Sequence, residues 1–277
     1  MESISLPKNI LIDLDKENEY KGVLTIGPLY PGYGPTVANS LRRVLLSSMP
    51  GAAIYAFKTK GVSHEFTSID YVKEDVVDIS LNLKRVNLKS HSEEPVELKL
   101  KVTGEKVVTA GDIEANSDVE IANPDQVIMT LTDKAADIDM SLWVKKGRGY
   151  ETVESREKGD EEEVNVITVD SIFTPIHEVG YQVDNVRVGV RTDYDKITMQ
   201  IETNKTVSIE EAVKDSANLL AEHFKLISES SFDEKEEEME VVEAEESDDK
   251  EDADSTEEVA EEKVEEPKEE KEDEEKK

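Results

Sequence analysis

Cysteine is absent from the 277 residues, which excludes both a disulfide framework and a thiolate metal site and is compatible with a reducing compartment. Long apolar runs are missing too: none approaches the ~18–20 residues needed to span a bilayer. The opening stretch MESISLPKNILIDLDKE has neither the basic region nor the apolar core of a secretory signal. A cytoplasmic protein with no membrane partner is expected. Basic charge is the scarcer sign, with 33 Lys and Arg against 66 Asp and Glu and a net charge of −33.

That imbalance is local. Residues 229–277 hold 27 of the acidic residues and 7 lysines, whereas residues 1–228 hold 39 acidic and 26 basic residues, the composition of an ordinary soluble domain. Phe232 is the only aromatic of the acidic segment, and its few apolar side chains cannot offset the cost of ordering a backbone. A disordered acidic tail is expected over 229–277. Such a tail can recruit basic partners or merely keep the protein soluble, and the second reading is favoured because acidic blocks commonly do no more than solvate.

Within the body, alternation of apolar and polar residues dominates. Val77, Ile79, Leu81 and Leu83 alternate with Asp78, Ser80, Asn82 and Lys84, and Val96, Leu98, Leu100 and Val102 with Glu97, Lys99, Lys101 and Thr103, so both stretches are expected as half-buried strands. Further strands are expected at Val127–Leu131, Ile138–Lys145, Tyr181–Arg191 and Ile197–Glu202, with Thr192–Asp195 turning the last two into a hairpin. Strands that follow one another without helical periods between them imply largely antiparallel sheets.

Two segments have helical periodicity. In Thr36–Ser48 the residues Val37, Leu41, Val44 and Leu45 share one face. In Ile209–Ile227 the stripe Ile209, Val213, Ala217, Leu220, Phe224 and Ile227 is widened by Ala212, Leu219 and Leu226, behind a capping box of Ser208 and Glu211. An apolar surface this broad implies contact on two sides, one with a sheet and one with a partner chain.

GPLYPGYGPTVANSLRRVLLSSMPG, Gly27 to Gly51, raises the possibility of a phosphate-binding loop at a helix N-terminus. The pattern is a poor fit. Val37 stands where a third glycine should be, Pro35 has no amide to donate, no lysine follows, and no βα alternation continues downstream. The glycines and prolines instead suit a tight lead-in to a helix, with Pro35 tolerated in its first turn and Thr36 near the free amides.

Other catalytic constellations are equally thin. His64, His91, His177 and His223 are scattered, with no second histidine four residues after either His-Glu pair. Asp137 and Asp139 share one side of a strand, more simply a solvated face than a metal pair, and no nucleophile elbow occurs. The tandem Arg42 and Arg43 point ~100° apart on their helix, so both cannot cover the same edge of its apolar face. Arg43 shares a side with Asn39 and Ser47. The pair serves either a protein interface, where the guanidinium fork is well suited, or plain solvation.

Four stretches in order, GYGPTVANSLRRVLLSSMPG, GVSHEFTSIDYVKEDVVDISLNLKRV, KKGRGYE and VDSIFTPIHEVGYQVDNVRVGVRTDYDKITMQIET, resemble the N-terminal domain of bacterial RNA polymerase alpha subunits, from about Ile10 to Ile227. The resemblance implies an α+β fold with a discontinuous dimerisation subdomain, residues 1–50 and 179–228, made of a sheet and two long helices. A mainly antiparallel β-rich subdomain, residues 51–178, is inserted between its halves. It also implies a homodimer on which the beta and beta-prime subunits assemble, with omega and sigma in the wider complex, in the bacterial cytoplasm or nucleoid.

No catalytic residue or cofactor is expected on this chain, since magnesium and zinc belong to the large subunits. By resemblance Arg43, with Arg42, falls in the beta-binding motif, and Lys84, Val169 and Asp170 fall at beta-prime-binding positions. Val37, Leu41, Val44, Leu45, Val213, Leu220, Phe224 and Ile227 fall at the dimer interface. Family members normally continue into a compact helical domain that touches promoter DNA, where this chain has its acidic tail, so little or no direct DNA contact is expected. The alternatives are a homodimeric β-rich module that binds basic proteins through the tail and, behind it, a nucleotide-binding enzyme built on the loop discounted above.

Overall fold

A computed structural model of the chain describes residues 4, 6–16, 18–156 and 165–230. The expected disordered tail falls almost wholly outside the described residues. In chain order the elements are β1 (Asn9–Leu14), β2 (Lys21–Leu29), α1 (Tyr33–Ser47), β3 (Pro50–Thr59), α2 (Val76–Leu83), β4 (Leu88–Ser90), β5 (Val96–Thr103) and β6 (Lys106–Thr109). A 3-10 turn at Ala110–Asp112 leads to β7 (Val119–Ile121), β8 (Val127–Leu131), β9 (Asp137–Arg148), β10 (Tyr150–Glu151), β11 (Ile167–Thr168), β12 (Ser171–Ile172), β13 (Ile176–Val188), β14 (Arg191–Thr203) and α3 (Ile209–Glu229). This is the α+β class expected, and every strand pairing between these elements is antiparallel.

Two sheets carry two separate cores. The first sheet runs β1-β2-β14-β13, and α1 and α3 cover one face of it. Alternation delivers Leu24, Ile26, Ile197, Met199 and Ile201 to that face, where they meet Ala38, Leu41 and Leu45 of α1 and Ile209 and Ala212 of α3. The second sheet runs β5-β9-β3-β4-β7, with β11 on the same edge of β3 as β4. Its core gathers Phe57, Leu100, Met140 and Leu142 from the sheet with Val76, Ile79 and Leu83 from α2 and Ile128 and Met129 from β8. The first core draws only on residues up to Met49 and from Ile176 onward, and the second only on Ala52 to Val169.

The structure corrects three local expectations. Val77–Lys84 is not a strand but the body of helix α2 and its C-cap. Its apolar residues satisfy both periods, as short runs often do, and the helix wins because Val76, Ile79 and Leu83 can all be buried on one side. Asp75 caps it, its Oδ1 accepting from the Asp78 amide at 2.7 Å. Leu81, an inward strand residue in the other reading, is left exposed.

The β13–β14 hairpin does not turn at Thr192–Asp195. Val188 pairs with Arg191, so Gly189 and Val190 make the turn, and Gly189 takes the positive φ of 64° that the connection requires. Thr192–Asp195 therefore lie inside β14.

Thr36 does not cap α1. The helix begins at Tyr33, and the Asp195 carboxylate, reaching across from β14, accepts from the amides of both Gly32 and Gly34 at 2.9 Å. A Cβ on Gly34 would sit 2.6 Å from Val183 Cγ1 and 2.9 Å from the Asp195 carboxylate, so glycine here permits a close backbone approach. The glycine-rich loop does cradle an anion, and the anion is the chain's own.

Candidate functional site

Because α1 is clamped against the first sheet, its two arginines have different surroundings. Arg42 Nε donates to the carbonyl of Val179 on β13 at 3.1 Å and is tied to the body. Arg43, one residue on, is exposed, and its guanidinium has no partner among the described residues. Asn39 and Ser47 on the same side of α1 are exposed as well, and Ser47 Oγ donates to the Arg43 carbonyl at 2.8 Å. The helix thus presents one cation with its donors unused.

Lys84, Val169 and Asp170 come together although two of them lie 85 or more residues from the first. Lys84 stands at the C-cap of α2, and Asp170 lies in the link between β11 and β12. Lys84 Nζ donates to Asp170 Oδ2 at 2.9 Å, Tyr150 Oη donates to the same oxygen at 3.0 Å, and the Val153 amide donates to Oδ1 at 2.9 Å. The Lys84 ammonium, followed by the Val153 amide, holds the Asp170 carboxyl down to about 2 against partial burial. The same hydrogen bond to Asp170 raises the Tyr150 phenol. Three donors on one carboxylate fix its direction, while Lys84 keeps two further N–H bonds for a partner.

Val169 plays a different part. Its side chain is buried in the second core, so it offers no surface. Its amide donates to the Tyr55 carbonyl at 2.8 Å, and its own carbonyl accepts from Arg156 Nη2 at 2.7 Å. Sequence reasoning missed Tyr150 and Arg156 as members of this cluster, since Tyr150 sits on the two-residue strand β10 and Arg156 in a bend after it, both too short for a periodic signal.

The expected interface residues divide into core and surface. Leu45 is 0% exposed and Leu41 is buried beside it, so both hold α1 to the first sheet and offer no area to a second chain. Val37, Val213 and Leu220 are half-buried at the rim of that core, and Val44 is half-buried on α1. Beyond Leu220 every residue of α3 is exposed, including Phe224 at 61%, Leu226 at 69% and Ile227 at 58%. Single exposed apolar residues are normal, but three within four positions of one helix make a patch.

The remaining candidates are peripheral. All four histidines are exposed, with His223 Nδ1 lying 2.7 Å from the Leu219 carbonyl. Asp137 and Asp139 are exposed on β9, and Asp139 pairs with Lys101 at 3.7 Å as part of a solvated strand face. No helix is long and apolar enough to cross a membrane among the described residues.

Residues 54–174 match the family model described as the RNA polymerase Rpb3/RpoA insert domain. The chain is 45% identical over 246 residues to the DNA-directed RNA polymerase subunit alpha of Moorella thermoacetica, covering 86% of this chain and 77% of the relative. It is 47% identical over 226 residues to the subunit alpha of Desulforamulus reducens and 46% identical over 226 residues to that of Oceanobacillus iheyensis, in each case covering 82% of this chain and 71% of the relative. With two relatives so similar across most of their length and the insert-domain match lying over the second core, the chain belongs to the DNA-directed RNA polymerase alpha subunit family.

Proposed function

We propose that two copies of this chain pair through α1 and α3 into the non-catalytic platform on which the beta and beta-prime subunits assemble. The observation that carries this reading is the distal half of α3, where Phe224, Leu226 and Ile227 are exposed with nothing among the described residues to cover them. A second copy, arranged about a two-fold axis, would cover that stripe together with Val37, Val44, Val213 and Leu220. Leu41 and Leu45 support the interface from below. The split of the two cores supports residues 1–50 and 179–228 as the dimerisation part and 51–178 as the insertion, with the chain already returning to the first core at Ile176.

Arg43 then serves as the beta-subunit contact, with Arg42 anchoring the helix that carries it. Lys84 and Asp170 form the beta-prime contact over the buried Val169. The chemistry of the complex, with its magnesium and zinc, resides in the large subunits, with omega and sigma joining later, and the site of action is the bacterial cytoplasm or nucleoid. A chain of net charge −33 is repelled by duplex DNA, so the platform itself contributes little or no DNA contact.

The test is co-expression of the tagged full chain with beta and beta-prime, followed by size-exclusion chromatography and identification of the captured proteins by mass. Recovery of both large subunits on a dimer of this chain is the expected result. Capture of basic proteins through the tail, with neither large subunit, would replace this reading with that of a β-rich recruitment module.

A further inference from the structure

Arg156 is a largely buried cation that bonds two separate segments of the chain. Its side chain is 13% exposed. Nη1 donates to the Tyr55 carbonyl on β3 at 2.9 Å, and Nη2 donates to the Val169 carbonyl at 2.7 Å and to Ser171 Oγ at 2.8 Å. The guanidinium carbon lies 5.7 Å from the centre of the Tyr55 ring. Nε is buried without a hydrogen bond and faces Glu151 at 3.4 Å, and Glu151 is also paired with Lys145 at 2.8 Å.

Burying a guanidinium costs several kcal/mol before its partners repay any of it, and apolar replacements of such groups are often neutral for stability. What the arrangement does supply is position. The two ends of the fork hold the β3 main chain on one side and, on the other, both residues that flank Asp170, Val169 through its carbonyl and Ser171 through its hydroxyl. With its flanks held from behind, the Asp170 side chain accepts from Lys84 on α2 and from the Val153 amide. The rigid fork of arginine meets the Tyr55 and Val169 carbonyls with two different nitrogens, a fixed geometry that a flexible ammonium does not impose.

We infer that Arg156 is a positioning residue for the beta-prime contact, acting through the Val169 carbonyl and Ser171 to hold Asp170 in register with Lys84. This rests on the reading of Lys84 and Asp170 as that contact. The surface is therefore pre-formed in the free subunit, and docking does not have to order it.

The experiment uses the full chain with Arg156→Met, Arg156→Lys and, as reference, Lys84→Ala. Amide exchange of Val153 is followed in the free protein, and beta-prime capture is followed on the pre-formed complex with beta. Both Arg156 variants are expected to remain dimeric and to bind beta normally. They should lose the exchange protection of Val153 and lower beta-prime affinity by about tenfold or more, as Lys84→Ala does.

A purely structural role would leave Val153 protected in the folded fraction and capture unchanged, and that result overturns the inference. If the methionine variant does not fold, the lysine variant decides alone, because it keeps the charge and loses only the fork. Unchanged capture in Lys84→Ala as well would remove the contact surface itself, whatever the exchange shows.

Discussion

Lys84 Nζ and Asp170 Oδ2 lie 2.9 Å apart, although 86 residues separate them along the chain. One is carried by the C-terminus of α2 and the other by a link between two-residue strands, so the pair exists only because α2 packs on the second core. The pairing also gives Asp170 a pH signature. Its folded value of about 2 lies below the ordinary 3.8, so its contribution to stability is fully present above the ordinary value and is lost as pH falls toward 2. Thermal melts of wild type and Asp170→Asn should differ at about pH 6 and converge as the pH approaches 2. Parallel curves across that window would mean that the carboxylate is not the stabilising form.

Asp195 should behave as a long-range helix cap. Asp195→Ala leaves the Gly32 and Gly34 amides unpaired at the start of α1, with an expected loss of about 1–2 kcal/mol. For a domain of this size that lowers the melting temperature by roughly 2–8 °C. Gly34→Ala at the same place forces a Cβ against Val183 and Asp195 and should cost about 1–3 kcal/mol. Denaturant unfolding measures both, and wild-type midpoints would refute the cap.

The two arginines of α1 should separate by experiment. Arg43→Ala is expected to leave the dimer and its unfolding midpoint unchanged while abolishing capture of beta in a reconstitution. Arg42→Ala removes the bond to the Val179 carbonyl and should lower stability by about 0.5–1.5 kcal/mol. Assembly of the full complex at unchanged affinity by the Arg43 variant would sink the assignment.

Core and interface should separate in the same way. Leu45→Ala creates a cavity in a fully buried site and should destabilise the chain by about 2–5 kcal/mol. Phe224→Glu or Ile227→Glu, at exposed positions, should leave secondary structure unchanged by circular dichroism and convert the dimer to monomer in sedimentation. A dimer that survives both charge substitutions would place the two-fold contact elsewhere.

Much of this was legible in the chain. The alternation at Val96–Val102 and at Ile138–Lys145 reads directly as strands β5 and β9, because one residue in two meets the core. The helical periodicity of α3 also reads as it stands, and of its capping box the structure has the Ser208 half, Ser208 Oγ accepting from the Glu211 amide at 3.2 Å. Val77–Lys84 misled because a short apolar run satisfies two periods, and only the location of the rest of the core chooses between them. Leu41 and Leu45 were indistinguishable from Val37 and Val44 by spacing, since an amphipathic face does not say which part of it meets its own sheet and which part meets a second chain.

The sequence by itself determined the local and the additive: the α+β class, antiparallel pairing, two long helices, the absence of cysteine chemistry and the placement of charge. These depend on periodicity and composition, which act over a few residues at a time. The tertiary structure alone decided that the glycine-rich loop receives Asp195, that Arg42 is bound while Arg43 has no partner among the described residues, and that Arg156, Asp170, Tyr150 and Lys84 form one cluster. Those relations join residues tens to more than a hundred positions apart, and a hydrogen bond acts over about 3 Å of space whatever the separation along the chain.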